Sequence, residues 1–148
     1  MAEMLIDNGA AVNAQSGYYG NALQAACQGG HEKVAEMLID NGAEVNVQSG
    51  WYYNALYTAC QEGHEKMAEM LIDKGAEINA QVGGLDYALY TACLGGHEKV
   101  AEMLIDKGAE VNAPGGYYGN ALEATFQGGH KKVAEMLIMK GADMNGYS

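Results

Sequence analysis

The chain repeats itself every 33 residues. His31, His64, His97 and His130 mark the interval, each preceded by a glycine, and no insertion or deletion disturbs it. A fixed period in this range excludes a single packed globule. It requires a row of small units, each covering the apolar side of its neighbour. The segment Ala2 to Asp7 recurs as Ala35 to Asp40, Ala68 to Asp73 and Ala101 to Asp106, then as Ala134 to Ile138, where Met139 takes the place of the aspartate. Gly9-Ala10 returns at Gly42-Ala43, Gly75-Ala76, Gly108-Ala109 and Gly141-Ala142, and Val12-Asn13 at Val45-Asn46, Ile78-Asn79, Val111-Asn112 and Met144-Asn145.

Each unit holds two short helical stretches. The first runs roughly from Ala22 to Gln28. Asn21, Asn54 and Asn120 precede it and its copies as N-caps, because a short carbonyl side chain accepts a backbone N–H left over at a helix start. Tyr87 occupies that place in the third complete unit and cannot cap, whereas Asp86 beside it could. The second stretch follows Gly30-His31. Val34, Met37 and Leu38 share one face at helical spacing, and Glu32, Glu36 and Asp40 share the other. Gly42 ends it in a conformation that side-chain-bearing residues resist. Both stretches fall short of the roughly 12–15 residues that an isolated helix needs in water. Their stability must come from burying Leu23, Ala26, Met37 and Leu38 against the same positions of the next unit.

Gly30-His31, Met37-Leu38-Ile39 and Gly42-Ala43-Glu44-Val45-Asn46 resemble the ankyrin repeat, and the resemblance covers the whole chain. The family's T-P-L-H start of the first helix is absent. It reads Asn21-Ala22-Leu23-Gln24, Asn54-Ala55-Leu56-Tyr57, Tyr87-Ala88-Leu89-Tyr90 and Asn120-Ala121-Leu122-Glu123. The resemblance implies an all-α solenoid of helix-turn-helix units joined by hairpin loops. Over residues 1–148, read as one domain, it places a partial repeat at 1–15 and full repeats at 16–48, 49–81, 82–114 and 115–148. The G-N-A-L and G-G-H-E-K wording is also similar to ankyrin arrays of filamentous fungi, which often form the sensor end of larger receptors. An engineered array would be equally uniform.

The formal charge of −11 and the lack of any arginine argue against nucleic acid, whose phosphates call for Lys and Arg. No apolar run approaches the roughly 20 residues needed to cross a bilayer, and no secretory signal opens the chain. The acidic second-helix stripe reads as a solvated outer face. Cys27, Cys60 and Cys93 share one repeat position, with Phe126 in the fourth copy. Neighbouring copies of that position should lie about 10 Å apart, too far for a disulfide. Reduced thiols and a cytoplasmic setting are expected.

No metal, cofactor or catalytic site is expected. The histidines and cysteines are spread one per unit, whereas a zinc site needs ligands converging on one point. The Gly-His histidines are expected to bond backbone in the turn before the second helix. No serine–histidine–carboxylate set or phosphate-binding glycine pattern is present.

Residues 1–33 and 34–66 differ at eight positions, five of them in the loop tip and first helix. In ankyrin proteins these elements form the concave binding groove. The resemblance therefore implies partner-binding residues at Tyr18, Gln24, Gln28, Trp51, Tyr53, Tyr57, Gln61, Glu62, Asp86, Tyr90, Leu94, Tyr117, Glu123 and Gln127. Trp51, Tyr53, Tyr57 and Tyr90 are the expected anchors, because Tyr and Trp bury large area with few torsions to freeze. Tyr19, Tyr52 and Tyr118 share one repeat position and are expected to pack loop against loop. Glu62, Asp86 and Glu123 favour a ligand with positive charge. The expected function is non-enzymatic binding of a protein or peptide. The alternatives are a self-associating scaffold or the sensor segment of a receptor. The chain begins inside a second helix and ends without a polar cap at Met139, Met144 and Tyr147, so head-to-tail association into open filaments is a further expectation.

Overall fold

Two apolar stretches of helical period, parted by a Gly-His turn, become two short helices in each of the four full repeats, as far as these are described. The computed structural model describes residues 22–47, 54–82 and 86–144. Among these residues there are eight helices: α1 (Ala22–Gly29), α2 (Glu32–Asp40), α3 (Ala55–Gln61), α4 (Glu65–Asp73), α5 (Ala88–Leu94), α6 (Glu98–Asp106), α7 (Ala121–Gly128) and α8 (Lys131–Met139). The only extended pairing described is a pair of isolated bridges, Val82 with Asp86 and Pro114 with Asn120. The expected N-caps form where they can be described: Asn54 Oδ1 accepts from Tyr57 N and Asn120 Oδ1 from Glu123 N, both at 2.8 Å. Tyr87 starts α5 without a side-chain cap. Asn21 lies outside the described residues.

The chain divides into two compact units, Met1–Glu77 and Ile78–Ser148. In the first, α1 packs on α2 and α3, α3 packs on α4, and α2 packs on α4, so first helices and second helices form separate layers. Leu23, Ala26, Cys27, Leu38, Leu56, Cys60, Met67 and Leu71 fill the space between. The second unit repeats the scheme with α5, α6, α7 and α8 around Leu89, Cys93, Val100, Leu104, Leu122, Val133 and Leu137. The expected burial falls short at two positions. Met37 and its copy Met70 are only half-buried, although Met103 and Met136 are buried, and Val34 is 36 % exposed, although its copies Met67, Val100 and Val133 are buried.

The second helices end alike. The Gly42 N–H donates to Ile39 O and the Ala43 N–H to Leu38 O, at 3.0 and 2.9 Å. Gly42 holds φ at +105°, a conformation that costs a side-chain-bearing residue free energy.

Side chains staple neighbouring repeats in a way the sequence reading did not foresee. Asn46 donates to Gly75 O and accepts from Glu77 N, at 3.1 and 2.9 Å. In the second unit Asn79 clasps Gly108 O and Glu110 N, and Asn112 clasps Gly141 O and Asp143 N. These three asparagines thus satisfy backbone groups of the repeat that follows. The expected histidine contact also needs correction. His64 Nε2 lies 3.3 Å from Gln28 O, and His130 Nε2 lies 3.1 Å from Leu94 O. The bonded backbone is the first helix of the preceding repeat, not the histidine's own turn. A carbonyl only accepts, so Nε2 carries the proton in these contacts. On the outer face, Lys74 pairs with Asp40 at 2.9 Å and Lys140 with Asp106 at 3.0 Å. These two aspartates are therefore not simply solvated.

Candidate partner-binding surface

The best-defined exposed feature is the loop between α6 and α7. The Pro114–Asn120 bridge closes its base, and the Gly115 N–H donates to Gly119 O at 2.8 Å. Gly116 holds φ at +80°. A Cβ there would stand 2.2 Å from the Tyr90 ring, so glycine is required twice over, by conformation and by space. The Tyr90 hydroxyl accepts from the Tyr118 N–H at 2.9 Å. The Tyr87 hydroxyl donates to Ala113 O, and its ring lies tilted against Tyr90 with centroids 5.8 Å apart. Two buried tyrosines of one repeat thus brace the loop of the next.

Above this brace stands Tyr117. Its side chain is 91 % exposed, and its ring meets that of Tyr118 edge-on, with centroids 4.9 Å apart and planes at 86°. The exposed Leu94 and Gln127 and the half-buried Glu123 belong to the same unit.

The expected binding residues divide sharply. Tyr18, Trp51 and Tyr53 lie outside the described residues, as do Tyr19 and Tyr52. Gln61, Glu62, Leu94, Tyr117 and Gln127 are exposed, and Gln28, Asp86 and Glu123 are half-buried. Gln24, Tyr57 and Tyr90 are corrected: they retain only 1, 6 and 2 % of their accessible surface and cannot act as open anchors. For Tyr90 the reason is the loop packed over it. For Gln24 it is the segment leading into the next loop, where its Nε2 donates to Val47 O at 3.4 Å. Glu123 stands at the same repeat position and is only half-buried. Tyr118 is expected to pack loop against loop; its ring meets Tyr117 of its own loop and stays 37 % exposed.

Burial sets the local acid–base chemistry. It pushes the Cys27 and Cys93 thiols up to about 12, disfavouring the thiolate. Burial raises Tyr87 to about 12 as well, with Cys93 adding a smaller effect. Cys27, Cys60 and Cys93 are all buried. Among the described residues, no group of three His, Cys, Asp or Glu side chains could hold a metal ion, and no helix is long and apolar enough to cross a membrane.

A family model for ankyrin repeats, built from three copies, matches residues 1–82 and again 84–147. The chain belongs to the ankyrin repeat family. Its all-α helical-repeat class follows from that match and from the eight helices. Ankyrin repeats are in general protein–protein interaction modules and generally non-enzymatic. A search of curated proteins finds no match. In this ankyrin array the missing T-P-L-H start is replaced by asparagine caps in two described repeats; in the third, Tyr87 is the N-cap and makes no side-chain cap bond.

Proposed function

We propose that this ankyrin array is a non-enzymatic binding module. It takes a protein or peptide partner on its loop tips and first-helix ends, with Tyr117 as an anchor. One observation carries the reading: Tyr117 is almost wholly exposed on a loop that buried neighbours already hold in shape. An amphipathic ring on a pre-ordered loop loses little entropy on binding, so more of its contact energy appears as affinity. Leu94, Glu123 and Gln127 extend the surface, and Glu123 favours a partner with some positive charge. In the first unit Gln28, Gln61 and Glu62 stand at the corresponding helix end. Trp51 and Tyr53 belong to the same proposal on sequence grounds. The buried thiols support a reducing, cytoplasmic setting.

The test selects peptides on the immobilised chain from a random library and maps the winners by hydrogen exchange. Protection is expected over 115–128, and Tyr117→Ala should weaken binding by at least about 2 kcal/mol, as for a hot-spot aromatic. Protection confined to the acidic second helices, with Tyr117→Ala binding as well as wild type, would refute the assignment.

A further inference from the structure

Asn41 closes α2, where Lys74, Lys107 and Lys140 close α4, α6 and α8. It is exposed, and a glycine follows it. The other described asparagines are Asn46, Asn54, Asn79, Asn112 and Asn120. Each of them precedes alanine or valine, whose Cβ crowds the backbone nitrogen. Their side chains are also engaged, Asn54 and Asn120 as helix caps and the other three as clasps on the next repeat.

An asparagine before glycine carries an electrophile and a nucleophile that can close a five-membered ring. The Gly42 nitrogen, once hydroxide has taken its proton, adds to the side-chain carbonyl carbon of Asn41. The new C–N bond forms, the bond to Nδ2 breaks, and ammonia leaves a succinimide. Water then opens the ring at either carbonyl, giving aspartate or its β-linked isomer.

The fold holds the two partners apart. Asn41 has ψ at 16°, which turns the Gly42 nitrogen well away from Cβ about the Cα–C bond. The Gly42 N–H donates to Ile39 O at 3.0 Å, and Asn41 Nδ2 donates to Met37 O at 2.8 Å. Ring closure breaks both bonds and rotates the backbone, so the last turn of α2 must open first. Helix ends open at low free energy. The product does not restore the cap. Aspartate has no amide to offer Met37 O, and it sets a second anion beside Asp40 at the negative end of the helix dipole. The β-linked isomer adds an atom to the backbone and breaks the turn's register.

We propose that Asn41–Gly42 is a site of spontaneous covalent modification through a succinimide, and that opening of the α2 end sets its rate. The array thereby keeps an irreversible record of how often that end opens. The inference is independent of the Tyr117 surface.

Peptide mapping by mass spectrometry tests it, on the full chain in mildly alkaline buffer, folded and in urea above its unfolding transition. Asn41 should convert to a mixture of the two aspartate linkages, at least about tenfold more slowly in the folded chain, because two hydrogen bonds oppose the opening. The slowing should match the hydrogen-exchange protection of the Gly42 amide to within about threefold, since one opening frees both groups. Gly42→Ala should slow conversion in urea, where the fold plays no part and the added Cβ crowds the nitrogen. Asn8 and Asn145 also precede glycine; they lie outside the described residues and are read from their own peptides. Equal rates in the folded and unfolded chain, no conversion of Asn41 in urea, or conversion of Asn46 or Asn54 ahead of Asn41 in the folded chain would each overturn the proposal.

Discussion

Tyr90 offers the sharpest test of how one repeat shapes the next. Its ring is 2 % exposed, fills the space above Gly116 and accepts the Tyr118 N–H through its hydroxyl. Tyr90→Phe removes only that acceptor. Tyr118 is partly exposed, so water can take up the N–H, and the cost is about 1 kcal/mol. Tyr90→Ala also removes a buried ring, for a total of about 4 kcal/mol on the scale of large-to-small aromatic changes. For a chain of this size, 1 kcal/mol shifts the thermal midpoint by about 2–4 °C. The expected drops are therefore about 2–4 °C for Phe and about 8–16 °C for Ala. Amide hydrogen exchange supplies the decisive second reading. Tyr118 should lose protection in Tyr90→Phe while the amides of α7 keep theirs, because the loop is released before its helix. If Tyr118 exchanges as in wild type and Tyr90→Ala costs under about 1 kcal/mol, the brace does not exist. In that case Tyr90 would again be a candidate for direct contact with a partner.

Three other outcomes follow from the same geometry. Asn112→Ala breaks two bonds to the following repeat and should cost about 1–2 kcal/mol in urea unfolding, and Asn79→Ala should match it because its clasp is the same. Tyr117→Ala removes an exposed ring and should stay within about 0.5 kcal/mol of wild type in the same assay. Stability should fall in alkali. Cys27, Cys93 and Tyr87 have folded values raised to about 12, so their contribution is complete below the unfolded values, at 9.0 for the thiols and 10.0 for tyrosine, and is lost as pH rises toward 12. Denaturant midpoints between pH 8 and 12 check this, and Cys93→Ala should flatten the decline.

Much of the scaffold was legible because it rests on local chemistry. The Asn54 and Asn120 caps, the positive φ at Gly42 and the buried Leu38, Leu71, Leu104 and Leu137 follow from helix-start acceptors, glycine's missing Cβ and apolar period. The surface was less legible, because exposure here is set by the neighbouring repeat. Gln24 and Tyr90 look like open first-helix positions until the following segment is laid over them. The Val-Asn clasps and the Lys74–Asp40 and Lys140–Asp106 pairs join residues about one period apart. A pattern read within one repeat cannot show them, although Lys74, Lys107 and Lys140 recurring one period apart, 34 residues after Asp40, Asp73 and Asp106, carried the signal.

Variation in a repeated chain gains meaning only when paired with what it faces. The position shared by Gln24, Tyr57, Tyr90 and Glu123 varies more than most, which suggested partner contact. In the second unit, however, Tyr90 is matched to Gly116, and the glycine cannot be changed without moving the ring. Variation there is absorbed inside the array. Tyr117, one residue along, meets little beyond the edge of Tyr118 and leaves nearly all of its ring to solvent.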